Sequence, residues 1–215
     1  TKRDTIVLDK TGTITLGKPA VVDIIPLNPQ FDTQDDLLKL AASVEKGSEH
    51  PLGKAIVKEA QARQLDLFDP REFKAAGGFG VQAEVDGQSV LVGKPKWFQE
   101  TGIDIQAADK EIQALQSQGK TVMVIVRDNE LCGLISVSDT LKPDSKEAIR
   151  QLRDQHLRVV MLTGDNQQTA QSIASQVNID EVLAEVRPEE KSSKIKELQQ
   201  KGARVGMVGD GINDA

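Results

Sequence analysis

The 215-residue chain has a net charge of −6, is 38% hydrophobic and 28% charged, and holds aromatics at only 3%. Its core must therefore be aliphatic, and its interleaved charges offer no broad basic face to nucleic acid. The single cysteine, Cys132, excludes an intramolecular disulfide and a multi-cysteine metal site, and no run reaches the ~18 apolar residues of a membrane helix.

Residues 5–9 (Thr-Ile-Val-Leu-Asp) read as a short buried strand ending on Asp9. Two amphipathic helices follow, at 32–47 and 51–64, the second with Pro51 at its first position, where the missing N–H costs nothing. Then "VQAEV", "DG" and "QSVLVG" form a strand, a tight turn and a strand, with Asp86-Gly87 as the hairpin signal. Trp97 and Phe98 are adjacent, so only one should face a given surface, and partial burial is expected. "TVMVIVRDNELCGLISV" repeats the hairpin around Asp128-Asn129 and places Cys132 as a buried thiol. The last third alternates helices at 142–154, 166–176 and 189–201 with strands at 157–162, 181–186 (a weaker one) and 203–208. Thr169, Ile173 and Val177 fall on one helix face, and Gly202 closes the last helix.

This pattern predicts an α/β domain with a parallel sheet, residues 1–18 and 137–215, interrupted by an inserted α+β antiparallel unit at 19–136. No internal repeat separates them; the joins "LGKPAV" and "VSDTLKPDS" each carry a proline. The abrupt start at "TKRDTIVLD", without a signal peptide, and the stop at "GDGINDA" suggest a piece of a larger protein, truncated at its C-terminus.

In an open parallel sheet, ligands bind beyond the carboxyl ends of the strands. One tip carries Asp9, another Thr163-Gly164-Asp165, and a third Gly209-Asp210-Gly211-Ile212-Asn213-Asp214. Each alone is an ordinary turn or cap; together they are a chemical constellation. Asp9 can attack phosphorus, and with Asp210 it can share Mg²⁺, a hard cation that takes few carboxylates plus water and phosphate oxygens. Thr163 and the backbone near Gly12 can hydrogen-bond phosphoryl oxygens, and Lys191, at a helix start, can place its ammonium beside them.

"DKTGT" at 9–13, "TGD" at 163–165 and "GDGIND" at 209–214 resemble the motifs of the P-type ATPases, whose phosphorylation domain is haloacid-dehalogenase-like. The resemblance implies ATP and Mg²⁺ as cofactors. Asp9 would accept the γ-phosphate, Lys191, Thr163 and Asp214 would assist, Asp9, Asp210 and the Thr11 carbonyl would hold Mg²⁺, and Gly12, Gly164, Asp165 and Asn213 would support the phosphate site. Hydrolytic relatives carry a second aspartate where this chain has Thr11, so the acyl-phosphate should persist, as a pump requires.

No GxxxxGK[ST] loop exists, and "GFGVQA" at 78–83 precedes a hairpin instead of opening a helix, which rejects a dinucleotide fingerprint. "EKGSEHPLGKAI" resembles the His-Pro motif of the heavy-metal-transporting branch, in which residues matching Glu45, His50, Gly78 and Gly80 surround the adenine. The KGAPE-like stretch of the sodium- and calcium-pump branch is absent. His156 matches nothing and reads as a surface residue. Asp139, in "SDTLKPDS", resembles part of the hinge returning to the first domain, and the insertion implies closure about that hinge.

The expectation is thus the ATP-binding catalytic portion of a heavy-metal pump at the cytosolic face of a membrane. It would act with membrane and actuator domains of the same chain, without nucleic acid, and as a monomer when isolated. Copper(I) is the first expectation for the transported metal, zinc or cadmium the second. The alternatives are a soluble haloacid-dehalogenase-like phosphatase with a large cap, and a non-catalytic nucleotide-sensing module.

Overall fold

The computed structural model describes residues 4–28 and 33–209. In chain order the strands are β1 (Thr5–Asp9), β2 (Ala20–Pro26), β3 (Arg71–Ala76), β4 (Gly80–Val85), β5 (Gln88–Gly93), β6 (Thr121–Arg127), β7 (Glu130–Ser138), β8 (Arg158–Leu162), β9 (Glu181–Leu183) and β10 (Val205–Val208). The helices are α1 (Gln34–Glu45), α2 (Pro51–Ala62), α3 (Pro95–Thr101), α4 (Asp109–Ser117), α5 (Ser145–Asp154), α6 (Gln167–Gln176) and α7 (Lys191–Gln200). The chain divides into two compact units: 1–18, 117–119 and 139–215 in the first, 19–116 and 120–138 in the second.

The first unit is a parallel sheet of order β10-β1-β8-β9. Its inner strands β1 and β8 are buried on both faces, which is why they read as continuous apolar runs. Leu8, Val159 and Met161 pack with Ile149 of α5 and Ala170, Ile173 and Ala174 of α6. Val7, Val160 and Leu162 point the other way, toward Leu198 of α7. The strand order puts β1 in the interior of the sheet, and the parallel pairing brings the tips of β1, β8 and β10 to one edge. The α6 face predicted from spacing is buried at Thr169, Ile173 and Val177, and Asn166 caps the helix by accepting the Thr169 N–H at 2.9 Å.

The second unit is an antiparallel sheet of order β2-β7-β6-β5-β4-β3. Helices α1 and α2 cover one face through Leu37, Leu38, Ala41 and Ile56. Helices α3 and α4 cover the other through Trp97, Phe98, Ile112 and Leu115. Both predicted hairpin turns have left-handed backbone at their two central residues, with φ of 50° and 76° at Asp86-Gly87 and 49° and 65° at Asp128-Asn129. That geometry matches the twist of the strands they join.

The sequence reading missed β2, β3, α3 and α4. Strand β3 is exposed along nearly its whole length and carries a register shift between Arg71 and Lys74, so it lacks the alternation that marks a half-buried strand. The expectation for Trp97 and Phe98 is corrected. Both are buried, at 8% and 0% exposure, with ring centroids 5.5 Å apart. The argument that one must face away holds for a strand, but on a helix neighbouring side chains are about 100° apart and one broad apolar face takes both. Cys132 is buried and His156 exposed.

Candidate functional site

In the first unit the site grows from the end of β1. Asp9 is extended (φ −67°, ψ 136°), and the chain then turns through Thr11 (φ −73°, ψ 123°) and Gly12 (φ 81°, ψ −14°). These are the dihedrals of a type II turn, whose second central position favours glycine because a Cβ is disfavoured at positive φ. The Thr15 N–H returns to the Lys10 carbonyl at 3.0 Å and closes the loop. Asp139 clamps it from outside, accepting from the Thr15 hydroxyl (2.8 Å) and from the Gly17 and Lys18 N–H groups (2.9 and 3.1 Å).

Asp9 is 6% exposed and its Oδ2 takes the Lys191 ammonium at 2.6 Å. Lys191 opens α7 and sends its ammonium to this carboxylate. Lys10 is turned to the tip of β8 and pairs with Asp165. The Thr163 hydroxyl accepts the Asp165 N–H at 3.1 Å, which shapes that tip. Gly164 passes the Val186 carbonyl, 3.4 Å from where a Cβ would sit. The edge thus brings Asp9, Thr163, Asp165 and Lys191 together as expected. It adds Lys10, which sequence reasoning passed over because nothing local says which carboxylate a lysine will find. The Thr13 hydroxyl in the same loop is buried without a hydrogen-bond partner, the kind of group that a ligand or ordered water satisfies. The sequence-predicted residues Asp210, Asn213 and Asp214 lie outside the described residues.

In the second unit a compact corner forms where α1 ends and α2 begins. His50 caps α2: its Nδ1 accepts the Leu52 N–H at 3.2 Å, which leaves Nε2 as the protonated donor of the neutral ring. His50 keeps solvent access, yet the protein packed round its ring, and then the Lys94 charge, lower its pKa below the ordinary histidine value. Ser48 organises the turn: its N–H donates to the Glu45 carbonyl (2.8 Å) and its hydroxyl accepts the His50 N–H (3.2 Å).

Glu45 is 3% exposed and its Oε2 has no partner. Burial raises its pKa to about 7, and a hydrogen bond from Ser48 only partly offsets this. The carboxyl fits because residue 53 is glycine. A Cβ there would collide with Oε2 and lie 2.9 Å from both Glu45 Cδ and Ser48 Oγ.

The two predicted glycines of 78–83 differ in what requires them. Gly78 has φ +80° with open space around its Cβ position. Gly80 pairs with Gly93 across β4 and β5, and a Cβ on Gly80 would strike the Val92 carbonyl and approach the Trp97 ring to 2.8 Å. Packing under Trp97 is therefore a sufficient reason for Gly80, and its unpredicted partner Gly93 shares it.

The model of the haloacid dehalogenase-like hydrolase family matches residues 3–215. The chain belongs to the haloacid dehalogenase-like hydrolases. Within that family this hydrolase groups with the heavy-metal P-type ATPases. It is 46% identical over 212 residues to a copper-exporting P-type ATPase of Staphylococcus saprophyticus subsp. saprophyticus, covering 99% of this chain and 26% of the relative. Among solved structures, a catalytic domain of the CPx-ATPase CopB-B, described in connection with nucleotide binding, is similar at 29% identity and a TM-score of 0.74. That match covers 99% of this chain and 73% of the other. A zinc-transporting PIB-type ATPase in an E2.Pi state is similar at 38% identity and a TM-score of 0.65, covering 99% and 34%. The hydrolase spans about a quarter of the length of the curated relatives it matches. Among its described residues no helix is long and apolar enough to cross a membrane.

Proposed function

We propose that this hydrolase is the ATP-binding catalytic portion of a heavy-metal-transporting P-type ATPase, in which the second unit holds the nucleotide and Asp9 receives its terminal phosphoryl group. The observation that carries the reading is the ion pair of the buried Asp9 with Lys191 at the tip of an interior strand, beside Thr163 and the Lys10–Asp165 pair. An Asp9 oxygen attacks the γ-phosphorus, the bond to the β–γ bridging oxygen breaks, and ADP leaves with that electron pair. Before attack, Lys191 neutralises the nucleophile. Incoming phosphoryl oxygens draw the ammonium onto themselves, which frees the carboxylate and places positive charge where negative charge gathers.

The donor set suits Mg²⁺: the Asp9 carboxylate and the Thr11 carbonyl are hard oxygens on one turn, with Asp210 as the further carboxylate. When bound, the ion would offset the repulsion between carboxylate and phosphate. Thr11 supplies no carboxylate to activate water, so the aspartyl-phosphate persists and its breakdown can be tied to transport. Glu45, His50, Gly78 and Gly80 are assigned to the nucleotide: the desolvated Glu45 carboxyl as a hydrogen-bond acceptor and the uncharged His50 ring as a partner suited to a purine base. Copper(I) is the proposed cargo, on the strength of the copper-exporting relative and the "SEHPLGKAIV" stretch, and zinc is the runner-up. The pump would use membrane and actuator domains of the full-length protein, with this portion on the cytosolic face.

The test is covalent labelling. With γ-labelled ATP and Mg²⁺ the protein should form a hydroxylamine-labile phosphoenzyme. Asp9→Asn should form none while keeping nucleotide affinity within about threefold. A labile phosphoprotein recovered from Asp9→Asn would refute the assignment.

A further inference from the structure

Among the described residues of the second unit, Glu45 and Glu111 each hold a buried carboxyl oxygen without a hydrogen-bond partner, and of the two only Glu45 is buried as a whole residue. It is buried beside the first turn of α2, kept there by the missing side chain of Gly53, and its Oε2 has no partner. A buried acceptor without a donor is costly unless a ligand or water completes it. The charges on the elements around it are engaged elsewhere. Lys46 pairs with Asp69 at 2.7 Å, Lys54 with Glu49 at 3.4 Å, and the neutral His50 ring is committed through Nδ1 to Leu52. None of them stabilises a charge on Glu45, so burial leaves the carboxyl titrating at about 7, where both of its forms are populated.

An amine donor, such as the exocyclic amine of adenine, needs an acceptor. The ionised carboxylate offers one at either oxygen, whereas the carboxylic acid turns one oxygen into a competing O–H. We propose that Glu45 takes the nucleotide only as a carboxylate, so that a proton and the adenine amine compete for it and the His50 corner holds ATP less tightly as its surroundings acidify. Binding to the protonated form breaks the Glu45 O–H bond and releases that proton to the buffer. The inference rests on the nucleotide reading above and adds its regulation: the pump would load less readily in an acidified cytosol.

The experiment is titration of the 215-residue chain with MgATP across pH, with Glu45→Gln as the comparison. Glutamine keeps the shape and one carbonyl acceptor but cannot ionise. Wild-type affinity should fall about tenfold between pH 8 and pH 6, and that of Glu45→Gln should change by less than about threefold. Titration of ATP itself is common to both and cancels. Calorimetry at pH 6.5 in buffers of different ionisation enthalpy should find wild type releasing on the order of one proton more than Glu45→Gln. If His50→Ala weakens binding at pH 8 but the wild-type profile is flat, or is shared by Glu45→Gln, the proton competition is wrong and the nucleotide site stands. If His50→Ala binds like wild type at pH 8, the nucleotide site falls, and this inference with it.

Discussion

The strand-tip site and the His50 corner are opposite solutions to burying charge. At the tip, the buried Asp9 and the half-buried Asp165 already have ammonium partners, Asp9 with Lys191 and Asp165 with Lys10. At the corner, Glu45 is buried without any charged partner and one of its oxygens is unmet. The difference fits the two proposed tasks. A nucleophile that is to meet a polyanion needs cations in place beforehand, because reorganising them during the reaction would raise the barrier. A pocket for an uncharged base needs the reverse: a desolvated acceptor whose unmet hydrogen bond is completed only by the ligand.

The sharpest way to break the comparison is to remove the tip's cation. Lys191→Ala should slow phosphoenzyme formation by on the order of 10²–10³ at saturating ATP. Nucleotide affinity, read by titration, should stay close to wild type, since the corner belongs to the other unit. A loss confined to affinity would invert the assignment of the two sites.

The next effect is on stability. Glu45 titrates at about 7 in the fold against 4.5 as its ordinary value, so the folded state holds a proton that the unfolded state has lost. The contribution of Glu45 is therefore most favourable below pH 4.5, falls as pH rises through this window, and is flat above it. Integrated, the loss is about 3 kcal/mol. Glu45→Gln should accordingly be more stable than wild type at pH 8 by up to this amount and similar at pH 4, by denaturant unfolding. Equal stability at both pH values would mean that Glu45 is solvated or paired. If the ordering is seen, the binding corner is held at a cost to the apo fold, the usual compromise at functional positions.

The smallest effect separates a packing role from a binding role. Gly53→Ala sets a Cβ against the Glu45 carboxyl but improves helix propensity by about 1 kcal/mol, so net stability should move by no more than about 1 kcal/mol. ATP affinity should nevertheless fall at least about fivefold, because the carboxyl is displaced. Unchanged affinity would detach Glu45 from the nucleotide.

Much of this was legible in the chain. The Asp9 tip, the Thr163–Asp165 tip and the α6 face follow from apolar runs and 3.6-residue spacing, and the Asp86-Gly87 turn from the positive φ that hairpins demand. Strand β3 was not legible, because an exposed edge strand with a register shift has no periodicity to read. Helix α3 was missed because its seven residues are too few to display a helical period. Gly93 was not singled out, because nothing local says that Trp97 will lie over the Gly80–Gly93 pair.

By itself, then, the sequence determined which residue types stand at strand ends and turns, since period and backbone preference act over a few neighbouring positions. Only the tertiary structure decided that Lys191 meets Asp9 across 182 positions, that Lys10 goes to Asp165, and that Gly53 makes room for an unmet Glu45 oxygen. Pairing and desolvation depend on what the folded chain brings within a few ångströms, and no local pattern encodes that distance.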